Sequence, residues 1–334
     1  AKTEVTVNSG AVTVTGAGLE VKATGIRASA ENGGTVEVKT GEVTSNATND
    51  NTQGLVYGIS ADGKDGGTVT VSTGAVSASG VNVTEAIYAY TSGDSSTVTV
   101  NTGTLNSSAS GSTSNGIYTI NEGGSMVVTT GAVTSTSTAK YAGALGAQIK
   151  ATGGTTTVNT GLITAESNNQ TAGVSIDSAG SSTLVNVTTG SIEVLKGETS
   201  GIRVWAHDNG SLEMDVNGNV NSSGTGIWVR CDSQNSEAVV KVTEDVIAGD
   251  TAVDLTKTNN TSTTTIEVDG TISGKEHNIV ITEDSATKGI DITVWKVDTS
   301  GEKEVIEQKD GMEYFVPENA AEIVNYIIKV EGNL

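Results

Sequence analysis

The chain has very few of the residues that build a thick globular core or a disulfide-stapled one. Its 334 residues include one cysteine, one proline, one phenylalanine and only 3% aromatic residues. A single cysteine, Cys231, excludes an intrachain disulfide, and its place next to an outward Arg230 predicts a small buried side chain. Because large side chains are scarce, the remaining Val, Ile and Ala fit a slender, repetitive fold better than a thick core.

Other absences restrict where the protein acts. No apolar run approaches the ~18 residues of a membrane span, so this segment is not expected to insert into a membrane. No basic-then-apolar signal segment begins the chain, and we expect it to be a processed or excised piece of a longer protein. The net charge of −21 argues against binding nucleic acid or an anionic lipid surface. That charge is typical of a soluble, extended surface.

One motif recurs along the chain: alternating β-branched residues followed by a short turn that ends in glycine. Examples are TEVTVNSGAVTV (3–14), TVTVSTGAVSA (68–78) and TTTVNTGLITA (155–165). The turn glycines are Gly10, Gly41, Gly74, Gly103, Gly131, Gly161, Gly190 and Gly218, at intervals of 28 to 33 residues. A period of this size with strand-type alternation predicts a β-solenoid.

Each unit has three apolar peaks, which predict three short strands per coil. In the third unit they are Val69/Val71, Val76 and Ile87/Ala89. We therefore predict an all-β fold: a right-handed, three-sided parallel β-helix of about ten coils over residues 1–281. From residue 282 to 334 Lys and Glu rise and Gly falls, which predicts a small C-terminal β cap.

These periodic units, the Gly/Asn/Ser-rich linkers and the near absence of Cys and Pro resemble bacterial surface β-helix proteins. The resemblance is to adhesin and autotransporter passenger-like chains of the pectin-lyase-like superfamily, and it covers about residues 1–281. It implies this architecture and an extracellular location on the bacterial cell surface.

The third peak of each unit often reads Gly-Ile-x, and two copies gather the rarest residues of the chain. They are GIRVW (201–205) and GIWVR (226–230). If the two lie one coil apart, Arg203 faces Trp228 and Trp205 faces Arg230 on the outside, which suits cation–π contacts. We call the outward residues of this peak the aromatic ledge: Arg203, Trp205, Trp228, Arg230, Tyr88, Tyr90 and Tyr118.

The aromatic ledge has two interpretations. Exposed Trp and Tyr faces stack on sugars, and Trp, Tyr and Arg are also enriched at protein-binding hot spots, so a carbohydrate or a host surface protein fits. Lateral stacking that stiffens the rod explains the same residues without a ligand. The sequence therefore favours a non-catalytic adhesin or stalk segment that presents this ledge.

A carbohydrate-active enzyme, either a polysaccharide lyase or a glycoside hydrolase, is the alternative. An inverting glycosidase needs two carboxylates about 6.5–9.5 Å apart, and a lyase needs a basic residue beside acidic ones. The acidic stretch 237–254 contains no Arg or His to act with its carboxylates. Catalytic residues are therefore not predicted, and whether a weak activity exists stays open.

A metal site and an ice-binding surface are two further interpretations of the polar residues. His207 and His277 are far apart in sequence and have no Cys at metal spacing, so no zinc site is predicted. No cofactor is predicted, although an isolated Ca²⁺ in an Asp-rich turn stays open. Outward threonine pairs such as Thr68/Thr70 resemble the arrays of ice-binding proteins, but threonine is an ordinary residue on exposed strands.

Overall fold

The computed structural model describes residues 3–17, 22–48, 54–197, 199–233, 235–257, 262–283, 290–297, 303–305 and 325–332. All regular structure in these ranges is β. Among these residues, no helix is long and apolar enough to cross a bilayer. Beyond residue 280 the description covers the backbone alone.

The strands are short, with two exceptions of 16 residues. In chain order they are β1 (Glu4–Asn8), β2 (Val12–Gly16), β3 (Ala23–Ala30), β4 (Thr35–Lys39), β5 (Val43–Ala47), β6 (Val56–Lys64), β7 (Thr68–Ser72), β8 (Val76–Gly80), β9 (Thr84–Ser92), β10 (Thr97–Asn101), β11 (Leu105–Ala109), β12 (Ser114–Thr129), β13 (Val133–Ser137), β14 (Ala144–Asn159), β15 (Ile163–Ser167), β16 (Thr171–Ala179), β17 (Thr183–Thr189), β18 (Ile192–Val194), β19 (Thr199–His207), β20 (Ser211–Val216), β21 (Val220–Ser222), β22 (Thr225–Cys231), β23 (Glu237–Val242), β24 (Val246–Ala248), β25 (Thr251–Lys257), β26 (Thr263–Val268), β27 (Ile272–Gly274), β28 (His277–Glu283), β29 (Ile290–Val297), β30 (Lys303–Val305) and β31 (Asn325–Gly332).

Each coil contributes one strand to each of three parallel ladders. Ladder 1 begins β1–β4–β7–β10, ladder 2 begins β2–β5–β8–β11, and ladder 3 begins β3–β6–β9. The long strands β12 and β14 run through ladder 3 and on into ladder 1. Ladder 2 has ten strands, joined by nine steps. The chain is thus a β-solenoid of about nine turns, close to the ten predicted, while the right-handed path and the three-sided cross-section stay predictions.

Side-chain alternation fills the interior of the solenoid as the sequence predicts. Val69 and Val71 of β7 are fully buried, while Thr68 and Thr70, which alternate with them, are partly exposed. Successive strands repeat this pattern in register, so apolar residues stack on one another along the axis. Cys231 is also buried, as predicted.

The first coil follows the register of the repeat, but its valine side chains are not buried as those of later coils are. Val5 and Val7 pair with Val36 and Val38, yet each is 44% exposed. The described residues place no coil on the outer side of β1, so nothing there covers these two side chains. Burial in a solenoid needs a neighbour on both sides.

The turn glycines form a continuous hydrogen-bonded column. The Gly41 amide donates to the Gly10 carbonyl at 3.0 Å, and Gly74 donates to Gly41 at 2.9 Å. The same link continues through Gly103, Gly131, Gly161 and Gly190. This column confirms that units about thirty residues apart lie directly on one another.

The glycine of the Gly-Ile motif is needed for close packing between ladders. A Cβ added at Gly201 would lie 2.4 Å from Val220 Cγ1 and 2.7 Å from the Gly226 carbonyl oxygen. Both distances are shorter than a carbon atom allows, so a residue without a side chain is favoured there. Ile202 then points into the interior next to this contact.

The stacking of ladder 1 changes at its last strand. β31 pairs antiparallel with β26 and with β29, and β30 pairs antiparallel with β29. The outer edge of β26 is therefore occupied by a strand rather than left open, and covered edges protect a sheet from aggregation. Strands β29, β30 and β31 lie within the predicted cap, 282–334, whose boundary stays a prediction.

Candidate functional site

The outward side chains of ladder 3 form two columns along the solenoid, and every predicted ledge residue lies in one of them. The first column contains Arg27, Ser60, Tyr88, Tyr118, Gln148, Ser175, Arg203, Trp228 and Asp254. The second column contains Ser29, Asp62, Tyr90, Ile120, Lys150, Asp177, Trp205, Arg230 and Thr256.

The two Arg–Trp neighbours pair as the sequence predicts. β19 and β22 are parallel, with Arg203 opposite Trp228 and Trp205 opposite Arg230. The Arg203 guanidinium lies 5.3 Å from the Trp228 ring centroid, and the Arg230 guanidinium lies 5.6 Å from that of Trp205. Both distances are within the range of a cation–π contact.

The two pairs differ in charge. Arg230 Nε lies 3.0 Å from the Asp232 carboxylate, which also accepts a 2.9 Å hydrogen bond from the Trp205 indole N–H. Arg203 is exposed, and within the described residues it forms no ion pair. Arg230 is therefore neutralised locally, whereas the charge of Arg203 has no ion-pair partner among the described residues.

The tyrosines of the ledge form a second cluster. Tyr88 and Tyr118 lie edge to face with ring centroids 5.8 Å apart, and Tyr57 contacts Tyr88 at 5.6 Å. Tyr57 was not predicted, because it precedes the Gly-Ile motif rather than following it. Tyr90 lies in the other column, where it donates a hydrogen bond to Glu122.

The ledge is two clusters rather than one surface. From Tyr118 the first column passes through Gln148 and Ser175 before it reaches Arg203. Three steps of ~4.8 Å separate the tyrosine cluster from the Arg–Trp cluster by about 14 Å. No sequence pattern predicted what lies between them.

A groove of about 620 Å³ runs along ladder 3, beside the first column, and Arg203 is the one ledge residue in its lining. Its floor is the outer face of ladder 3, and its rim is formed by the segments that lead into these strands. Most of its lining is neutral and polar, with one cation and one carboxylate; the lining includes Gln148, Gln170, Ser175, Ser200, Thr225, Arg203 and Asp250. An elongated, hydroxyl-rich molecule would find both donors and acceptors along this groove.

The acidic stretch 237–254 contains no Arg or His of its own, and the fold places part of it beside Arg203 and Trp228. Asp250 lines the groove together with Arg203, and Asp254 lies opposite Trp228 in the first column. Burial raises the pKa of Asp254, and the charge of Asp250 raises it further. Arg203 and Asp254 are about fifty residues apart in sequence but only two coils apart in the solenoid.

His207 is a third feature that the sequence did not reveal. Its ring lies 4.5 Å from the Trp205 ring, and it bridges Asp208 at 2.8 Å and Asp177 at 2.9 Å. Burial lowers the pKa of His207, but the hydrogen bonds to Asp208 and Asp177 outweigh it and leave the pKa raised. His207 thus links two coils beside Trp205.

Removing His207 should change how stability depends on pH. A histidine whose pKa is raised on folding stabilises the protein below its unfolded pKa of about 6.5, and this contribution is lost as pH rises through the folded pKa. We expect His207→Ala to lower the urea midpoint at pH 5.5 more than at pH 9. Equal losses at both pH values would contradict the bridge, and Asp208→Asn should show part of the same pH dependence.

The metal-site and ice-binding interpretations of the sequence can also be compared with the structure. Within the described residues, no group of three or more His, Cys, Asp or Glu side chains is placed to hold a metal ion. The outward threonine column of ladder 1 is interrupted, since Leu184 and Glu237 occupy positions in register with Thr155 and Thr263. A flat ice-binding array would need that column to continue.

Searches against protein families, curated proteins and solved structures find no match for this chain. The ladder 3 face is therefore the basis for a proposed binding function.

Proposed function

We propose that this chain is a non-catalytic segment of an extracellular bacterial surface protein, of adhesin or stalk type, that binds a glycan along ladder 3. The observation that supports this proposal is the groove along ladder 3, which Arg203 lines beside its cation–π contact with Trp228. The resemblance to bacterial surface β-helix proteins supports the location.

The chemistry of the face suits a sugar chain. Trp205 is 37% exposed, so part of its ring is free to stack on the C–H face of a sugar. Gln148, Gln170 and Ser175 offer amide and hydroxyl groups to sugar hydroxyls, and Arg203 adds a charged donor. Arg203 connects the groove to the Arg–Trp cluster, since it lines the groove and lies over the Trp228 ring.

The double variant Trp205→Ala/Trp228→Ala tests this proposal. A glycan array identifies an oligosaccharide, and calorimetry then measures its Kd for the wild type and the variant. Aromatic hot-spot residues contribute about 2 kcal/mol or more, so we expect affinity to fall at least about thirtyfold. The variant should remain folded, because both rings lie outside the core.

Ile247→Ala is the matched control, because Ile247 is a 47% exposed apolar residue on ladder 2, away from the groove. It should bind like the wild type. Unchanged affinity in the tryptophan variant would remove the ledge from consideration. Binding of a host surface protein but of no glycan would keep the ledge and change its ligand.

A carbohydrate-active enzyme is the second candidate, and one observation favours it. Asp250 lines the groove with Arg203, Asp254 lies opposite Trp228 on the neighbouring strand, and the pKa of Asp254 is raised, as a general acid requires. If the chain is an enzyme, it should release reducing ends from the glycan that it binds, and Asp254→Asn should abolish that release. Binding without product supports the non-catalytic proposal.

A further inference from the structure

Glu85 is a buried carboxyl group on the outward side of ladder 3, next to the tyrosine cluster. It lies in β9, opposite Tyr57 on one neighbouring strand and Asn115 on the other. Only 4% of the residue is exposed. Glutamate is almost never buried to this extent without a partner, so its environment needs an explanation.

The hydrogen bonding of Glu85 and Asn115 is half complete. Asn115 Nδ2 donates to Glu85 Oε1 at 3.4 Å. Glu85 Oε2 and Asn115 Oδ1 are both buried and, among the described residues, have no hydrogen-bond partner. Both are acceptors when Glu85 is ionised, so neither can satisfy the other. Leaving two buried acceptors unpaired is costly.

We infer that Glu85 carries a proton in the folded protein and forms a cyclic acid–amide pair with Asn115. In this pair the Asn115 Nδ2–H donates to Oε1, and the carboxylic O–H on Oε2 donates to Oδ1. A single proton thus satisfies both of the atoms that are otherwise unpaired. The pair is a pH-sensitive clasp between β9 and β12, the strands that carry Tyr88 and Tyr118.

The surrounding groups favour the neutral acid. The titratable neighbours are Tyr57 on β6, Tyr88 on β9 and Tyr118 on β12, with Asp62 beyond them. The nearby cations, Lys64 and Lys150, lie over Tyr90 and Tyr118 instead. Burial raises the pKa of Glu85 to about 7, and the hydrogen bond from Asn115 opposes this only in part.

The clasp makes stability fall as pH rises. A carboxyl whose pKa is raised on folding binds more protons in the folded state than in the unfolded state between the two pKa values. For Glu85 that window runs from about 4.5 to about 7. Below this pH window Glu85 is protonated and the clasp is closed. Above the window Glu85 is ionised, and two acceptor oxygens face each other beside the tyrosine cluster. This inference concerns the fold, and it holds whether or not the proposed glycan binds.

Glu85→Gln tests the clasp, because a glutamine amide can form the same ring with Asn115 at every pH. We expect the folded-to-unfolded ratio of the wild type, relative to Glu85→Gln, to fall by roughly a hundredfold between pH 4 and pH 8, from a pKa shift of over two units. Urea unfolding of the full chain at several pH values measures this ratio. Asn115→Leu, which cannot close the ring, should remain destabilised even at pH 4.

An NMR titration of the ¹³C-labelled Glu85 carboxyl gives an independent readout, even if a variant fails to fold. The clasp predicts a titration midpoint of Glu85 near 7 in the wild type. A midpoint near 4.5 would overturn the inference. So would parallel pH profiles of the wild type and Glu85→Gln.

Discussion

Replacing Ile202 with alanine is expected to destabilise the solenoid by about 2–5 kcal/mol, the usual range for a large-to-small change in a core. Ile202 is fully buried and is stacked in register between Val174 and Ile227. Because coils above and below hold its neighbours in place, the cavity cannot collapse easily. Arg203→Ala, one residue along the same strand, should cost no more than about 1 kcal/mol, the value of an exposed cation–π contact.

Urea unfolding of the two variants beside the wild type checks this contrast. The midpoint should fall clearly for Ile202→Ala and little for Arg203→Ala. Similar losses would mean that the inward and outward faces of β19 are assigned wrongly, and the ledge would then have no basis.

Replacing Asn121 with leucine is the second change for which we expect a large effect. Asn121 is fully buried and satisfies all four of its hydrogen-bonding positions. It accepts from Thr91 Oγ1 at 2.8 Å and from the Gly123 amide at 2.9 Å, and it donates to the Thr155 carbonyl and to Thr156 Oγ1, both at 3.0 Å. These bonds join three successive coils where β12 passes from ladder 3 to ladder 1.

Leucine at this position leaves several buried polar groups unsatisfied, and each costs about 1–3 kcal/mol. We therefore expect Asn121→Leu to lower the free energy of unfolding by at least about 3 kcal/mol, measured by urea titration. Asn106→Ala, on the exposed face of β11, is the matched control and should change stability by less than about 0.5 kcal/mol. If both variants unfold at the same urea concentration, the Asn121 network contributes nothing to stability.

The parts of the fold that depend on repetition were predictable from the sequence. The turn glycines mark equivalent positions, and the structure links Gly10 to Gly41 and Gly74 by backbone hydrogen bonds. Counting from those positions placed Arg203 opposite Trp228, and the structure confirms it. In a solenoid each residue is paired with its equivalent one coil away, so a correct period is enough to predict such neighbours.

The groove and its flanking contacts were not predictable in this way. The tyrosine cluster and the Arg–Trp cluster share two columns, but their separation depends on which residues fill the coils between them. His207 ends β19 on the same face as Trp205, but its hydrogen bond to Asp177 depends on the side-chain conformation, which the period does not determine. Asp250 and Arg203 line the same groove because of how the connecting segments of two coils pack, which no periodicity describes.

The sequence by itself determined that the chain is a β-solenoid, which residues point inward and which pairs meet between adjacent coils. It could do so because these features repeat with the period of the chain. Only the tertiary structure decided that a groove runs along ladder 3 beside Arg203 and that Glu85 is buried against Asn115. Those features depend on how side chains and connecting segments of several coils pack together, and that packing does not repeat.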